Sequence, residues 1–386
     1  MDRRLLPLAA SAFAIGTDAF VIAGLLPEVG ADLDVTTAAA GQLITLFALT
    51  YALAAPVLGA LTSSFDRRKV ILAGLAVFVI GNAVTALADS FALALAARVL
   101  TALGAATASP QGTAIAAAIA PPEKRGRYLA VVTGGLTLAS ALGVPLGTLI
   151  GAADWRLTLW TVAGLGVLAA IGIAVWLPAT EAPAIGLAVR LAPLRDRAAL
   201  GILATTLLVL ASGYVFNTYV GAILDGATGG SEALLTIVLF ASGVGALIGN
   251  LAAGRLVDRF GPERLILGAQ IAYVLLLLAT PVAARSLVLA VPFGVLFGIA
   301  GWMTIVPQQH RLISRFPAAA PVAIGLNVSA LYTGMALGGF VGGLALNWTE
   351  PLGLGLVGAA VGLVGIAVTV AMMRAPKPAP VPVPVA

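Results

Sequence analysis

The chain alternates between long apolar runs and short polar loops. The runs are unbroken rather than alternating in polarity, which is typical of membrane-spanning helices and not of membrane-spanning strands. Each run has roughly 20 residues, enough to cross a bilayer as a helix. The pattern predicts an all-α polytopic membrane protein with twelve transmembrane helices, over 5–27, 39–61, 69–88, 91–119, 128–150, 157–177, 199–221, 233–254, 264–283, 286–309, 322–345 and 352–373.

Composition supports lipid as the solvent for most of the chain. Of the 386 residues, 60% are hydrophobic and 10% are charged, whereas a soluble domain carries about 25% charged residues. The chain has no cysteine, which excludes disulfides, thiol catalysis and cysteine-ligated metals. The net charge of +5 comes from basic residues scattered over short loops, so nucleic acid is not an expected partner.

The loop charges predict the orientation. If the N-terminus is cytoplasmic, then all of the 21 basic residues except Arg98, Arg156 and Arg285 fall in cytoplasmic segments or their borders. Short cytoplasmic loops are enriched in Lys and Arg. We therefore expect both termini to be cytoplasmic, which requires an even number of spans.

A repeat divides the chain into two halves. The segments GALTSSFDRRKVI and GRLVDRFGPERLI each follow the second apolar run of a half, and the second begins 195 residues after the first. Two six-helix halves in the same orientation form a parallel repeat. The predicted parts are an N-terminal half (1–177), a cytoplasmic linker (178–198), a C-terminal half (199–373) and a Pro-rich cytoplasmic tail (374–386).

Two opposite charges lie well inside predicted spans. Asp18 in the first run and Arg98 in the fourth are the acid and the base at such positions, at depths of roughly 13 and 10 Å from the outer helix ends. Similar depth makes them plausible partners, and pairing lowers the cost of burying both. We interpret Asp18 as a proton-exchanging group and Arg98 as the group that tunes it. The alternative is a static ion pair that fixes helix packing.

Two further patterns indicate movement. Gly143, Pro145 and Gly147 in the fifth run predict a smooth, bent face against which another helix packs closely; ordinary tight packing is the alternative.

Acidic and basic residues beside a turn glycine predict loop contacts that form in one conformation and break in another. These predicted gate residues are Gly254, Asp258, Arg259 and Gly261, with Asp66, Arg67 and Arg68 in the first half.

Aromatic and amide side chains are the candidates for a substrate cavity. A mainly aromatic cavity with few amides suits a lipophilic or weakly polar compound. For each residue, packing or a lipid-facing position is an equal alternative. The candidates are Phe47, Tyr51, Tyr214, Asn217, Trp302, Asn327 and Tyr332.

Several motifs together carry a family resemblance. The N-terminal segments 16–35 and 40–61 resemble the start of chloramphenicol-resistance and arabinose-efflux-type permeases. RVLTALGAATASP at 98–110 matches their fourth-helix motif, GVPLG at 143–147 resembles their fifth-helix motif, and GRLVDRFG at 254–261 matches their loop motif. In the first half that loop motif is degraded, with Ser63, Ser64 and Asp66 at its acid, base and glycine positions.

The whole chain thus resembles the twelve-span drug:proton antiporter family of the major facilitator superfamily. The resemblance implies a proton role for Arg98, an exporter helix at Gly143 to Gly147 and a cytoplasmic latch at Asp258 and Arg259. It also implies a bacterial inner-membrane transporter that functions as a monomer, exports drug-like molecules and uses the proton gradient without a cofactor.

Other functions stay open at this point. The same fold could export sugars, nucleosides or related metabolites. A membrane-embedded enzyme needs a cluster of His, Cys or acidic residues within the spans, and one His, no Cys and one midspan acid argue against it. A non-transporting sensor or scaffold would usually carry a sizeable soluble domain, and the longest connection here has about twenty residues. The expected ligands are a small molecule, protons and membrane lipid.

Overall fold

The computed structural model describes residues 2–121, 124–179 and 186–374. Every regular element in these ranges is a helix. Within the same ranges, 11 helices are long and apolar enough to cross a membrane. The prediction of an all-α polytopic membrane protein is therefore confirmed.

The first unit of the chain contains six long helices among its described residues. Three short helical turns, Ile22–Gly24, Leu26–Asp32 and Thr37–Ala40, connect the first two of them. The long helices are α1 (Leu5–Val21), α2 (Gln42–Leu61), α3 (Arg67–Ala86), α4 (Phe91–Ile119), α5 (Arg125–Leu138, the π-helical turn Ala139–Gly143, and Val144–Gly151) and α6 (Trp155–Trp176).

The second unit repeats this series. Its long helices are α7 (Arg197–Asn217), α8 (Glu232–Phe260), α9 (Pro262–Leu278), α10 (Leu287–Trp302 and Ile305–Arg315), α11 (Ala320–Ala345) and α12 (Leu354–Arg374). Short helical segments lie before and between them, at Leu187–Leu191, Ala192–Arg195, Val220–Ile223, Asp225–Thr228, Thr280–Ala283, Pro317–Ala319 and Pro351–Gly353.

Helix α9 is not among the 11 helices of the described residues that are long and apolar enough to cross a membrane. It has 17 residues, and the short helix Thr280–Ala283 follows it after one residue. At 1.5 Å per residue, a helix of this length spans about 25 Å, slightly less than the roughly 30 Å of the hydrocarbon core. The predicted span at 264–283 therefore corresponds to two consecutive helices rather than one.

The two units have the same internal packing scheme. The chain divides after Gly186. In the first unit, α1 packs against α5 and α6, α2 against α4, and α3 against both α4 and α6. In the second unit, α7 packs against α11 and α12, α8 against α10, and α9 against both α10 and α12. Helices six places apart in the chain thus have equivalent neighbours.

Parts of two predicted segments lie outside the described residues. The predicted linker 178–198 contains the point of division after Gly186, and its residues 180–185 are outside the described ranges. The predicted Pro-rich tail is outside them from residue 375 onward. Both boundaries stay predictions.

Acidic N-caps fix where several helices begin. Asp66 accepts a hydrogen bond from the Arg68 N–H at 2.9 Å and so starts α3. Asp196 accepts from the Ala199 N–H at 2.8 Å at the start of α7. Such caps satisfy backbone donors that have no partner within the helix. They hold the loop residues close to the helix ends.

Candidate functional site

A buried ion pair joins α1 to α4. The Arg98 Nη1 donates to Asp18 Oδ1 at 2.8 Å. Both residues are 0% exposed. Removing both charges from water is costly, and the attraction between them repays that cost only partly. The pair is therefore an expensive feature at the centre of the first unit.

The polar atoms of this pair are incompletely satisfied. Asp18 Oδ2 and the Nε and Nη2 atoms of Arg98 have no hydrogen-bond partner among the described residues. A guanidinium carries five donors and a carboxylate two acceptor oxygens. One contact thus leaves most of these donors and acceptors unused, so that the hydrogen bonding of the pair can change.

Two neighbours complete the surroundings of the pair. The Phe47 ring lies under the guanidinium, with the Arg98 Cζ 4.4 Å from the ring centroid, an arrangement that stabilises a cation. Asn82 of α3 lies beside the Asp18 carboxylate and is 0% exposed. Its amide donates to the Phe78 carbonyl at 3.1 Å, and its Oδ1 has no partner among the described residues.

Asn82 is a site residue that our sequence analysis missed. It is the amide in the third apolar run, and a polar side chain inside a membrane helix is costly and often marks a functional site. A search for every polar side chain inside the predicted spans, rather than for charges alone, would have found it.

Helix α5 holds α1 in place through glycines. A Cβ built on Gly143 would collide with the Thr17 side chain, one on Gly147 with Val21, and one on Gly151 with Leu25. Small residues allow two helices to approach this closely. The predicted smooth face thus packs on α1, directly beside Asp18. Pro145 begins the helical segment that follows the π-helical turn, and its link to export stays a prediction.

The predicted gate residues make contacts within their own units. Besides capping α3 through Asp66, the first loop places Arg67 Nη1 at 3.2 Å from Gln111 Oε1 on α4, and Arg68 donates to the Ala174 carbonyl near the end of α6. In the second unit, Asp258 and Arg259 are exposed. Their role as a latch stays a prediction.

The backbone conformation explains one of the two glycines among the predicted gate residues. Gly261 has a φ of +80°, which L side chains rarely adopt, and it forms the turn between α8 and α9. A Cβ on Gly254 would meet nothing within 4 Å. The packing of the described residues therefore does not explain a glycine at position 254.

The predicted cavity residues fall into separate groups. Phe47 and Tyr51 lie together on α2, with ring centroids 6.5 Å apart, and both are buried. In the second unit Tyr214, Asn217 and Trp302 are partly exposed, whereas Asn327 and Tyr332 are 3% and 5% exposed. Their role in substrate binding stays a prediction.

Asn327 belongs to a buried polar network of the second unit. Arg311 Nη1 donates to Gln308 Oε1 at 2.8 Å. Gln308 Nε2 lies 3.0 Å from the Thr206 hydroxyl, and that hydroxyl lies 2.7 Å from Asn327 Oδ1. The network connects α7, α10 and α11. Our sequence analysis identified only Asn327, because Thr206, which joins the amides of α10 and α11, lies 102 residues from Gln308 and 121 residues from Asn327 along the chain.

These features together define a class of protein. The described residues form 11 helices that can cross a membrane, in two units with equivalent packing and with polar groups buried inside each. This arrangement is that of a polytopic membrane transporter.

The chain belongs to the Major Facilitator Superfamily, whose family model matches residues 8–200 and again 202–385. The predicted family is thereby confirmed. Members of this family are transporters and not enzymes. Among the residues that the structure covers, no group of three or more His, Asp or Glu side chains could hold a metal ion.

Relatives along nearly the whole chain agree with this assignment. The inner membrane transport protein YdhP of Escherichia coli (strain K12) is 32% identical over 380 residues, which cover 97% of this chain and 96% of YdhP. A chloramphenicol resistance protein of Streptomyces lividans is 33% identical over 374 residues, which cover 94% of each chain.

Solved transporter structures share the fold. The nucleoside transporter NupG superposes with a TM-score of 0.79 at 14% identity, over 97% of this chain and 100% of NupG. The D-xylose-proton symporter superposes with a TM-score of 0.78 at 18% identity, over 96% of this chain and 97% of the symporter. The predicted fold class is confirmed.

Proposed function

We propose that the protein is a proton-coupled exporter of small drug-like molecules that works by alternating access. The observation that carries the proposal is the fully buried Asp18–Arg98 pair, whose remaining polar atoms have no partner among the described residues. A titratable group inside a membrane protein commonly marks a proton or substrate pathway.

Proton coupling follows from the electrostatics of the pair. Protonation of Asp18 removes one charge and leaves the Arg98 guanidinium buried without its counter-charge, which costs about 3–5 kcal/mol. The protein relieves this cost by rearranging α1 relative to α4. Protonation and conformation are then linked, because each state of the carboxylate favours a different arrangement of the helices.

The available driving force is sufficient for such a cycle. One proton that moves down a potential of 100 mV releases about 2.3 kcal/mol, before any pH gradient is added. In the antiport direction, protons enter as the compound leaves. Asp258 and Arg259 form contacts that break and re-form during this cycle, together with Asp66, Arg67 and Arg68.

Location and ligands follow from the loop charges and the relatives. With both termini cytoplasmic, the basic residues lie on the side that the positive-inside rule requires, and the relative YdhP is an inner membrane protein. We place this protein in the bacterial inner membrane as a monomer. Its ligands are a small molecule and protons.

Drug-like compounds are the favoured cargo. The Streptomyces lividans relative is a chloramphenicol resistance protein and covers 94% of this chain. Aromatic side chains among the candidate cavity residues, including Tyr214 and Trp302, suit flat apolar compounds. Drug resistance of cells that express the protein is the expected phenotype.

The deciding experiment is expression in an efflux-deficient bacterial host. Cells with wild-type protein are expected to export chloramphenicol or ethidium, and an uncoupler is expected to stop export. Asp18→Asn is expected to lose export, because it has no titratable proton. Asp89→Asn, which changes an exposed acid, is the matched control and is expected to keep it. Uncoupler-sensitive export by Asp18→Asn at wild-type rate would contradict the proposal.

Export of a sugar, a nucleoside or a related metabolite is the second candidate. The observation in its favour is the amide and hydroxyl network of Thr206, Gln308 and Asn327, since hydroxyl-rich cargo requires such partners. Accumulation assays with labelled sugars and nucleosides, run beside the drug panel on the same cells, distinguish the two. Transport of a sugar without any drug phenotype would favour this candidate.

A further inference from the structure

A small cavity inside the second unit is lined by a side-chain amide with a fixed orientation. Its walls include Thr206, Gln308 and Asn327, with Val209 and Leu331 as apolar neighbours. We infer that Asn327 presents its amide N–H groups to this cavity and so recognises a hydrogen-bond acceptor, such as a carbonyl or nitro oxygen, on the transported compound. The inference rests on the proposed transport function and adds the chemistry that one end of the substrate must have.

Arg311 fixes which end of the Gln308 amide is the oxygen, and with it the direction of the other hydrogen bonds in the network. A guanidinium donates hydrogen bonds and cannot accept them. Arg311 Nη1 lies 2.8 Å from one end of the Gln308 amide, and so that end must be the oxygen. The opposite end of the Gln308 amide is therefore its nitrogen.

A backbone carbonyl confirms this orientation independently. Gln308 Nε2 lies 2.8 Å from the Ile202 carbonyl oxygen, and a carbonyl only accepts. The same nitrogen lies 3.0 Å from Thr206 Oγ1. Gln308 thus donates to both groups, and the Thr206 oxygen accepts a hydrogen bond from Gln308 instead of donating one to it.

The hydroxyl proton of Thr206 has two acceptors within reach, the Ile202 carbonyl oxygen at 3.3 Å and Asn327 Oδ1 at 2.7 Å. The distance to Asn327 is the usual one for a hydroxyl donor, whereas Ile202 is farther away and already accepts from Gln308. The Asn327 oxygen is consequently an acceptor within the network, and its Nδ2 faces away from Thr206.

The Asn327 amide nitrogen donates no hydrogen bond to another described residue. The hydrogen bond from Thr206 is the one that Asn327 makes among the described residues, although the side chain is 3% exposed. The hydroxyl of Thr304, another wall residue, donates to the Gly301 carbonyl at 2.6 Å. A compound that supplies an acceptor gives this donor the hydrogen-bond partner it lacks among the described residues, which stabilises the bound state. A site of this kind binds compounds that carry such a group more tightly than compounds that lack it.

The test compares two probes and two variants of the full-length protein in proteoliposomes. Chloramphenicol carries carbonyl and nitro oxygens, whereas ethidium carries amino donors and no oxygen acceptor. Asn327→Asp replaces the donor with an oxygen but still accepts from Thr206. It is expected to raise the KM for chloramphenicol at least tenfold, to leave kcat within about twofold, and to leave ethidium transport at or above the wild-type level.

Gln308→Glu tests the orientation without touching Asn327. The introduced carboxylate accepts from Arg311 and also from Thr206, so that the hydroxyl turns away from Asn327 and the amide must flip. We expect the same rise in KM for chloramphenicol, which a merely structural role of Gln308 would not produce selectively. Asn347→Asp, at an exposed position, is the matched control and is expected to change neither probe.

The outcomes separate this inference from the proposed function. Wild-type protein that transports neither probe overturns both. An unchanged KM for chloramphenicol in folded Asn327→Asp, or an equal loss for both probes, overturns the amide assignment alone. If Asn327→Asp yields no folded protein by size-exclusion chromatography, Gln308→Glu decides: an unchanged ratio of the two KM values overturns the inference.

Discussion

At the scale of single residues, Asp18 and Arg98 are difficult to explain as packing. Their charged groups are 2.8 Å apart and fully buried, yet a buried ion pair is often no more stabilising than apolar side chains of similar volume. A pair with unsatisfied atoms gains even less. The protein therefore retains a costly arrangement, which is consistent with a requirement for charge at this position.

Replacement of both charges separates stability from coupling. We expect Asp18→Leu alone to lower the free energy of unfolding by about 3–5 kcal/mol, because Arg98 is left buried without a partner. The double variant Asp18→Leu/Arg98→Met is expected to regain wild-type stability or exceed it by up to about 4 kcal/mol. Thermal unfolding in detergent measures both. Uncoupler-sensitive efflux is expected to be absent in the double variant, and its persistence would show that the pair is only structural.

A second ion pair predicts a pH dependence of stability. Asp196 Oδ2 lies 2.6 Å from Arg315 Nη2. The hydrogen bond from Arg315 and the backbone donor of Ala199 lower the pKa of the Asp196 carboxyl, against a smaller opposing effect of burial. Because the folded pKa lies below the unfolded one, the stabilisation is complete above the unfolded pKa of about 3.9 and is lost as the pH falls below it.

The variant Asp196→Asn tests this assignment. It keeps a cap for α7 but loses the charge, so we expect a lower thermal midpoint than wild type at pH 7 and a smaller difference at pH 3. The measurement is the midpoint of both proteins across this range, with Asp89→Asn as a control. A difference that stays constant with pH would mean that the cap, and not the charge, provides the stabilisation.

At the scale of helices, the contact between α1 and α5 depends on individual glycines. A Cβ on Gly135 would collide with the Ala9 carbonyl oxygen of α1, whereas a Cβ on its neighbour Gly134 would meet nothing within 4 Å. The obstacle at Gly135 is backbone, which cannot turn aside as a side chain can. Two adjacent positions of one helix therefore have opposite tolerances.

These neighbours provide a matched pair of substitutions. Gly135→Ala is expected to destabilise by about 1–3 kcal/mol, because α1 must move away, and to reduce transport, because α1 carries Asp18. Gly134→Ala is expected to be neutral or to stabilise by up to about 1 kcal/mol, because alanine is the better helix former. Thermal unfolding and efflux are measured for both variants. Equal effects would mean that close approach is not what glycine provides at position 135.

Two local breaks in the helices coincide with prolines; our sequence analysis predicted a bend at Pro145 but not the break near Pro307. Pro145 provides no N–H for the carbonyl of Ala141, and the π-helical turn lies just there, at Ala139–Gly143. Pro307 lies four residues after Met303, where α10 is interrupted. Each proline removes one backbone hydrogen bond and crowds the preceding turn.

The apolar runs predicted the helices well, but not the partners of their polar residues. A run of about 20 apolar residues has few alternatives in lipid, because every backbone group must be satisfied internally. Pairing between Thr206, Gln308 and Asn327 depends instead on helix rotation and neighbour order. Asp18 and Arg98 could be compared by depth only because the spans contain so few charges.

At the scale of the whole chain, the two units share a packing scheme but differ in buried chemistry. The first unit contains the Asp18–Arg98 pair. The second contains the amide network that begins at Arg311 and an aromatic cluster in which the Phe216 and Phe297 centroids are 4.9 Å apart. This difference supports the proposals that proton exchange belongs to the first unit and recognition of an acceptor group to the second. A parallel repeat allows this division, since each copy can keep the fold while its buried residues change.

Because α9 is short, its crossing of the membrane is the step of the twelve-span arrangement that most needs a test. The chain has no cysteine, so single cysteines can be introduced without background. Two positions are expected outside: Asp89→Cys follows the third long helix and Glu350→Cys follows the eleventh. Two are expected inside: Ser64→Cys follows the second long helix and Ser314→Cys lies at the end of the tenth. All four positions are exposed. With twelve spans and a cytoplasmic N-terminus, a membrane-impermeant maleimide is expected to label positions 89 and 350 in intact cells and to label 64 and 314 only after permeabilisation.

The alternatives give different labelling patterns because each crossing reverses the sides of everything after it. If α9 does not cross, positions 89 and 64 keep their sides, whereas position 314 becomes accessible and position 350 becomes protected. If the N-terminus is outside, all four positions exchange their sides together. We expect neither pattern, because the 17 residues of α9 fall at the lower end of the range that spans a bilayer and local thinning accommodates a short helix at modest cost.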